Sequence, residues 1–152
     1  MAGKEAQIAV VAAAEHLWPE TLDVMGWDVA PHGFGVIFAQ SIPALVSRHL
    51  RDALAGLCDG MGIAEHDIGR FVCHPGGAKV IEALESSLEL APGTLDAERA
   101  VLADHGNMSA PTVLFVLQQI LADGGLQDDR PGMMLALGPG FTLSGALLTK
   151  AA

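Results

Sequence analysis

The sequence predicts an α/β fold, a mixed β-sheet with helices packed on its faces, built as one domain over residues 1–152. Two observations carry that prediction. Short apolar runs at Ile8–Ala14, Phe71–Cys73 and Met133–Leu137, the last two with glycine or proline close on each side, have the length and composition of buried strands. Between them lie segments with apolar residues three and four apart, the period of a helix that buries one face.

Taken in order, Ile8–Ala14 is a compact strand, followed by a polar, proline-containing loop from Glu15 to Asp23. Met25–Val29 is extended, Pro31-His32-Gly33 is a turn, and Phe34–Phe38 is a second short strand. Together these segments read as a hairpin at the edge of a sheet. A helix starts at Ser41, with the serine as N-cap and Pro43 in the first turn, where a missing N–H costs nothing. Its apolar face is Ile42, Leu45, Val46, Leu50, Ala53, Leu54 and Leu57, and Asp59-Gly60 and Gly62 end it. After a connector, Arg70–Cys73 is the next strand.

A second helix follows Gly77, with Val80, Ile81, Leu84 and Leu88 on one side and an end at Ala91-Pro92-Gly93. The third, Asp96 to Asp104, is short and charged, so Glu98 and Arg99 are expected on a solvated face. The fourth, from Thr112 to Ala122, is apolar nearly all round and is expected to be buried on every side, under a second layer or a second chain. Met133–Leu137, the tight turn Gly138-Pro139-Gly140 and Phe141–Leu148 close the chain as two strands.

Composition excludes some functions. A formal net charge of −10, with only 8 scattered Lys and Arg, gives no basic patch for nucleic acid. No apolar run is long enough to span a bilayer, and no basic segment leads an apolar signal core, so a cytoplasmic protein with no membrane partner is expected. Cys58 and Cys73 have no ligand-pair or disulfide spacing, and the six histidines do not pair on a helix, so no metal is expected. The 51% hydrophobic content is high for this length, which points to an apolar surface held against a partner.

One stretch concentrates chemistry. Arg70-Phe71-Val72-Cys73-His74-Pro75-Gly76-Gly77 runs a buried strand into a histidine, then into glycines that let other groups approach the backbone. His74 then lies where a loop meets a helix start, a position with free N–H groups. The same pattern also fits a core histidine that only hydrogen-bonds a neighbour.

Three stretches in this order, Cys73-His74-Pro75-Gly76-Gly77, Gly106-Asn107-Met108-Ser109 and Gly138-Pro139-Gly140-Phe141, resemble the C-terminal half of a type III polyketide synthase. This is the chalcone synthase-like branch of the thiolase-fold condensing enzymes. Met25-Gly26-Trp27-Asp28 and Gly33-Phe34-Gly35-Val36-Ile37-Phe38 also resemble bacterial members, so the resemblance covers nearly the whole chain.

The resemblance implies a thiolase-like half whose parent enzyme condenses malonyl-CoA with an acyl-CoA starter, with loss of CO₂, and cyclises the product. It implies a homodimer, coenzyme A thioesters as substrates and no further cofactor. By motif match His74 and Asn107 are two of the family's three catalytic residues. The third, a cysteine, belongs to an N-terminal half that this sequence does not contain, so the chain alone is expected to be inactive. Gly76 and Gly77 are implied beside the pantetheine arm, and Ser109 against pantetheine or polyketide. Gly138, Pro139, Gly140 and Phe141 are implied around a cyclisation pocket. Val36 takes the place of a gatekeeper phenylalanine of plant relatives, with Phe38 nearby. Two other readings stay open: a half resembling ketoacyl-carrier-protein synthase III, whose motif reads His-Gln-Ala-Asn where this chain has His74-Pro75-Gly76-Gly77, and a noncatalytic stand-alone module.

Overall fold

Four of the strands assemble into one sheet with the spatial order β1, β6, β5, β4 in the computed structural model, which describes residues 8–151. They are β1 (Ile8–Leu17), β4 (Arg70–Cys73), β5 (Gly132–Gly138) and β6 (Thr142–Lys150). β1 and β5 each run antiparallel to β6, and β4 runs parallel to β5, so the sheet is mixed as expected. The strand alternation divides the core. Phe71, Cys73, Met133, Leu135 and Leu143 face one side, and Val72, Met134 and Leu148 the other.

Against the first side pack α1 (Ile42–Met61) and α2 (Ala78–Ser87). α1 buries Ile42, Val46, Leu50, Ala53, Leu54 and Leu57, most of the predicted stripe. Gly62 ends it with φ +69°, a conformation that costs a residue with a Cβ about 1–2 kcal/mol. Ser41 stands at the N-cap position but makes no side-chain capping bond, contrary to expectation, because it is already in the helical region, with φ −75° and ψ −12°.

Against the second side pack α3 (Asp96–His105) and α4 (Pro111–Ala122), through Val101, Val113, Val116, Leu117 and Ile120. Leu114 and Phe115 remain 56% and 41% exposed, so α4 is not buried on every side in this chain. The solvated face expected for α3 is also corrected. Glu98 has no exposed surface, and Arg99 is half-buried in an ion pair with Glu85. Among the described residues no helix is long and apolar enough to cross a membrane.

Other boundaries shift. β1 continues through Glu15, His16 and Leu17, which were expected in a loop. α2 stops at Ser87, short of Ala91-Pro92-Gly93, and Phe141 precedes β6 instead of opening it. β2 (Met25–Ala30) and β3 (Gly33–Phe38) form the expected hairpin, yet it is a separate two-stranded sheet and not an edge of the main one. A backbone bond from Gly140 N–H to the Met25 carbonyl, 2.9 Å, anchors it, while the bond from Ala39 N–H to the Val24 carbonyl, 2.8 Å, extends its own ladder by one pair. The hairpin therefore stands over the turn between β5 and β6.

Candidate active site

β4 delivers His74 at the carboxyl end of the parallel pair, where open α/β sheets place their ligands. Its N–H donates to the Leu135 carbonyl at 2.8 Å, extending the ladder one residue past the strand. Burial lowers the pKa of the imidazole below the ordinary histidine value, so the neutral ring predominates at neutral pH. Nε2 lies 3.0 Å from the Ser109 carbonyl oxygen, which can only accept, so this nitrogen carries the proton.

The two glycines that follow are not demanded by local backbone. Gly77 is extended at φ 168°, and a Cβ there would meet nothing within 4 Å. At Gly76 a Cβ would meet only Val80, at an ordinary 3.9 Å. Their lack of side chains leaves open space beside His74.

Asn107 comes from the connection between α3 and α4, just after Gly106 turns the chain with φ +70°. Its Nδ2 donates to the Gly76 carbonyl at 3.1 Å, which ties this connection to the histidine loop. Its Oδ1 accepts the Ser109 N–H at 2.8 Å, an Asx-type turn. Ser109 adopts φ +66° within that turn, and its carbonyl points at His74.

His74, Gly76, Asn107 and Ser109 share one cavity of about 990 Å³. Its opposite wall is the hairpin, through Met25, Trp27, Val36 and Phe38, and its floor includes Gly138 and Pro139. Three expected residues do not line it. Gly77 lies outside, Gly140 faces Leu17 and Thr142, and Phe141 is buried with its ring stacked on Trp18 at 5.1 Å. Lys79, Gln40 and Ser144 line the cavity and were missed. Lys79 lies in the first turn of α2, two residues past Gly77, and that position was the available signal.

Neither cysteine faces the cavity. Cys73 is fully buried, and burial, with the Glu98 carboxylate adding to it, pushes its thiol pKa well up. Cys58 is buried in α1 and its thiol is likewise raised by burial, with Glu65 and Asp59 adding. Both stay protonated and unreactive at neutral pH.

Residues 9–152 match the family model for chalcone and stilbene synthases, C-terminal domain. Over 139 residues the chain is 38% identical to a 1,3,6,8-tetrahydroxynaphthalene synthase of Streptomyces peucetius subsp. caesius, covering 91% of this chain and 37% of that protein. It is 32% identical over 141 residues to a 3,5-dihydroxyphenylacetyl-CoA synthase of Streptomyces toyocaensis, covering 91% of this chain and 36% of that protein. Among solved structures, 1,3,6,8-tetrahydroxynaphthalene synthase from Streptomyces coelicolor A3(2), a bacterial type III polyketide synthase, superposes with a TM-score of 0.84 at 27% identity. That match covers 95% of this chain and 41% of the other. The chain therefore spans well under half the length of the relatives it matches, and its sheet and four helices form the thiolase-like half seen in that structure. This chain belongs to the chalcone and stilbene synthase family, whose C-terminal domain it represents.

Proposed function

We propose that this chain supplies the histidine and asparagine of a type III polyketide synthase site, for decarboxylative condensation of malonyl-CoA with an acyl-CoA starter and cyclisation of the product. The observation that carries the reading is the convergence of His74 and Asn107, from two loops, on one largely apolar cavity.

Loss of CO₂ from a malonyl thioester leaves an enolate, and negative charge gathers on the thioester oxygen. Neutral His74, with its proton on Nε2, and the Asn107 amide are donors of the kind that stabilise such an oxygen. Each is worth about 10²–10³ in rate by comparison with other oxyanion donors. Asn107 uses one amide hydrogen on Gly76 and keeps the second for substrate. His74 hands its N–H from the Ser109 carbonyl to the thioester oxygen, an exchange of one carbonyl-type acceptor for another. Apolar walls at Trp27, Val36 and Phe38 shape the space for the growing chain.

Acyl transfer also needs a thiolate nucleophile, and Cys58 and Cys73 are both protonated and turned away from the cavity. The reading therefore places that thiol on a further polypeptide segment, against the open side of the cavity and beside His74. A thiolate there raises the His74 pKa, reversing the effect of burial, and yields the ion pair that activates the sulfur.

The test is a condensation assay with malonyl-CoA and an acyl-CoA starter. The chain alone is expected to give no polyketide. Joined to the cysteine-bearing N-terminal portion of a relative, it is expected to form product, and His74→Ala or Asn107→Ala should each cut malonyl-CoA decarboxylation by about 10²–10³. Polyketide from the chain alone, or undiminished decarboxylation in both variants, overturns the reading.

A further inference from the structure

Thr112 is one of only two polar side chains among the described residues that are fully buried, and the second is Glu98. Its hydroxyl is used twice. Oγ1 accepts the Met108 N–H at 2.8 Å and donates to the Ser109 carbonyl at 2.8 Å. That carbonyl also receives the Thr112 N–H at 3.0 Å and His74 Nε2–H at 3.0 Å. Three donors thus meet on one oxygen, and the residue that carries it sits in the left-handed region at φ +66° without being glycine. Such a conformation persists only where its surroundings over-determine it.

We propose that Thr112 is the positioning residue of the His74–Asn107 pair. Its hydroxyl fixes the turn that carries Asn107, and it holds in place the carbonyl against which the His74 ring rests. It touches neither substrate nor reacting atoms, and acts only through Ser109 and Met108. The Asn107 side chain is bound to the same turn through the Ser109 N–H and reaches across to Gly76. Slack at Thr112 is therefore felt by both donors at once. This proposal rests on the condensing reading only for what the pair is for; the geometry it describes is present without substrate.

The experiment compares Thr112→Val with Thr112→Ser in the chain itself. Valine keeps the volume and loses the hydroxyl, whereas serine keeps the hydroxyl and loses a methyl. A residue that merely fills the core would tolerate valine better. A positioning hydroxyl predicts the reverse. The readouts are the ring-nitrogen resonances of His74, which report the tautomer, and the side-chain amide resonances of Asn107, with thermal melting as the check on folding.

In Thr112→Val the Asn107 amide signals are expected to move to solvated positions. The excess of the Nε2–H tautomer should fall about fivefold, the population change that one net hydrogen bond supports. In Thr112→Ser both sets should stay at their wild-type positions. Unmoved resonances in the valine variant, or equal displacement in the serine variant, overturn the proposal. Should Thr112→Val fail to fold, the serine variant decides alone: wild-type resonances uphold the positioning role, and displaced ones refute it. No step of this test depends on turnover, so an inactive condensation assay leaves its result standing. Unmoved resonances would in turn leave the condensing reading untouched.

Discussion

Glu98 puts a carboxyl group inside the protein, directly behind the histidine loop. One oxygen accepts the Cys73 N–H at 2.9 Å, and the other is buried without a partner, as is Nε of Arg70. Burial raises its pKa, and the bond from Cys73 and the charge of Arg70 only partly offset this. A carboxyl whose folded pKa is raised binds its proton more tightly in the native state. The stability it contributes is full below the ordinary glutamate pKa and is lost as pH rises through the folded value. Glu98→Gln keeps an acceptor for Cys73 and removes the titration, so its stability should lose that pH dependence in urea unfolding series. Glu98→Ala strands the Cys73 N–H and should cost about 1–3 kcal/mol at low pH, where the Glu98 contribution is full. A wild-type pH profile in the glutamine variant would refute this account. His74 and Asn107 were legible from the sequence because each lies in a short motif. Glu98 and Thr112 were not: the partner of Glu98 is set by the approach of α3 to the end of β4, and the bonds of Thr112, though local, acquire a role only when His74 packs against the Ser109 carbonyl.

At the scale of elements, α4 and the hairpin show what the sequence could and could not say. The apolar pattern of α4 reports every face that some neighbour covers, and it does not say which neighbour. Val113, Val116 and Ile120 are covered by this chain's own sheet, while Leu114 and Phe115 face outward. The hairpin is similar, with Trp27, Val29, Phe34, Val36 and Phe38 all more than half exposed. Its strands were legible, but its separation from the main sheet was not, since a long-range backbone bond from Gly140 to Met25 ties it to the turn after β5. Exposed apolar side chains on this scale exceed what a solitary domain usually shows. The isolated chain is therefore expected to self-associate and to bind an apolar dye. Leu114→Glu with Phe115→Glu should shift sedimentation toward monomer and reduce dye fluorescence, with helix content unchanged. A wild-type chain that sediments as a monomer and leaves the dye dark would contradict this.

For the whole molecule, the mixed sheet with helices on two faces was legible because the strand and helix periods alternate cleanly along the chain. The spatial order of strands was not, since local pattern carries no record of which edge a strand joins. That order places β1 against β6, pairing Ile8 with Lys150 and Leu17 with Thr142. During synthesis β1 emerges well before β6 and must wait for it, and closing so long a loop is slow compared with forming the β5–β6 hairpin. Until then Val10, Val11 and their neighbours are a strand without a partner, open to proteases and to other nascent chains. Nascent chains arrested before Thr142 should be cleaved in the Ile8–Leu17 segment, and chains released past Lys150 should resist cleavage there. The pairing of β1 with β6 thus makes the emergence of β6, rather than that of the helices, the moment at which this segment becomes safe from the cell.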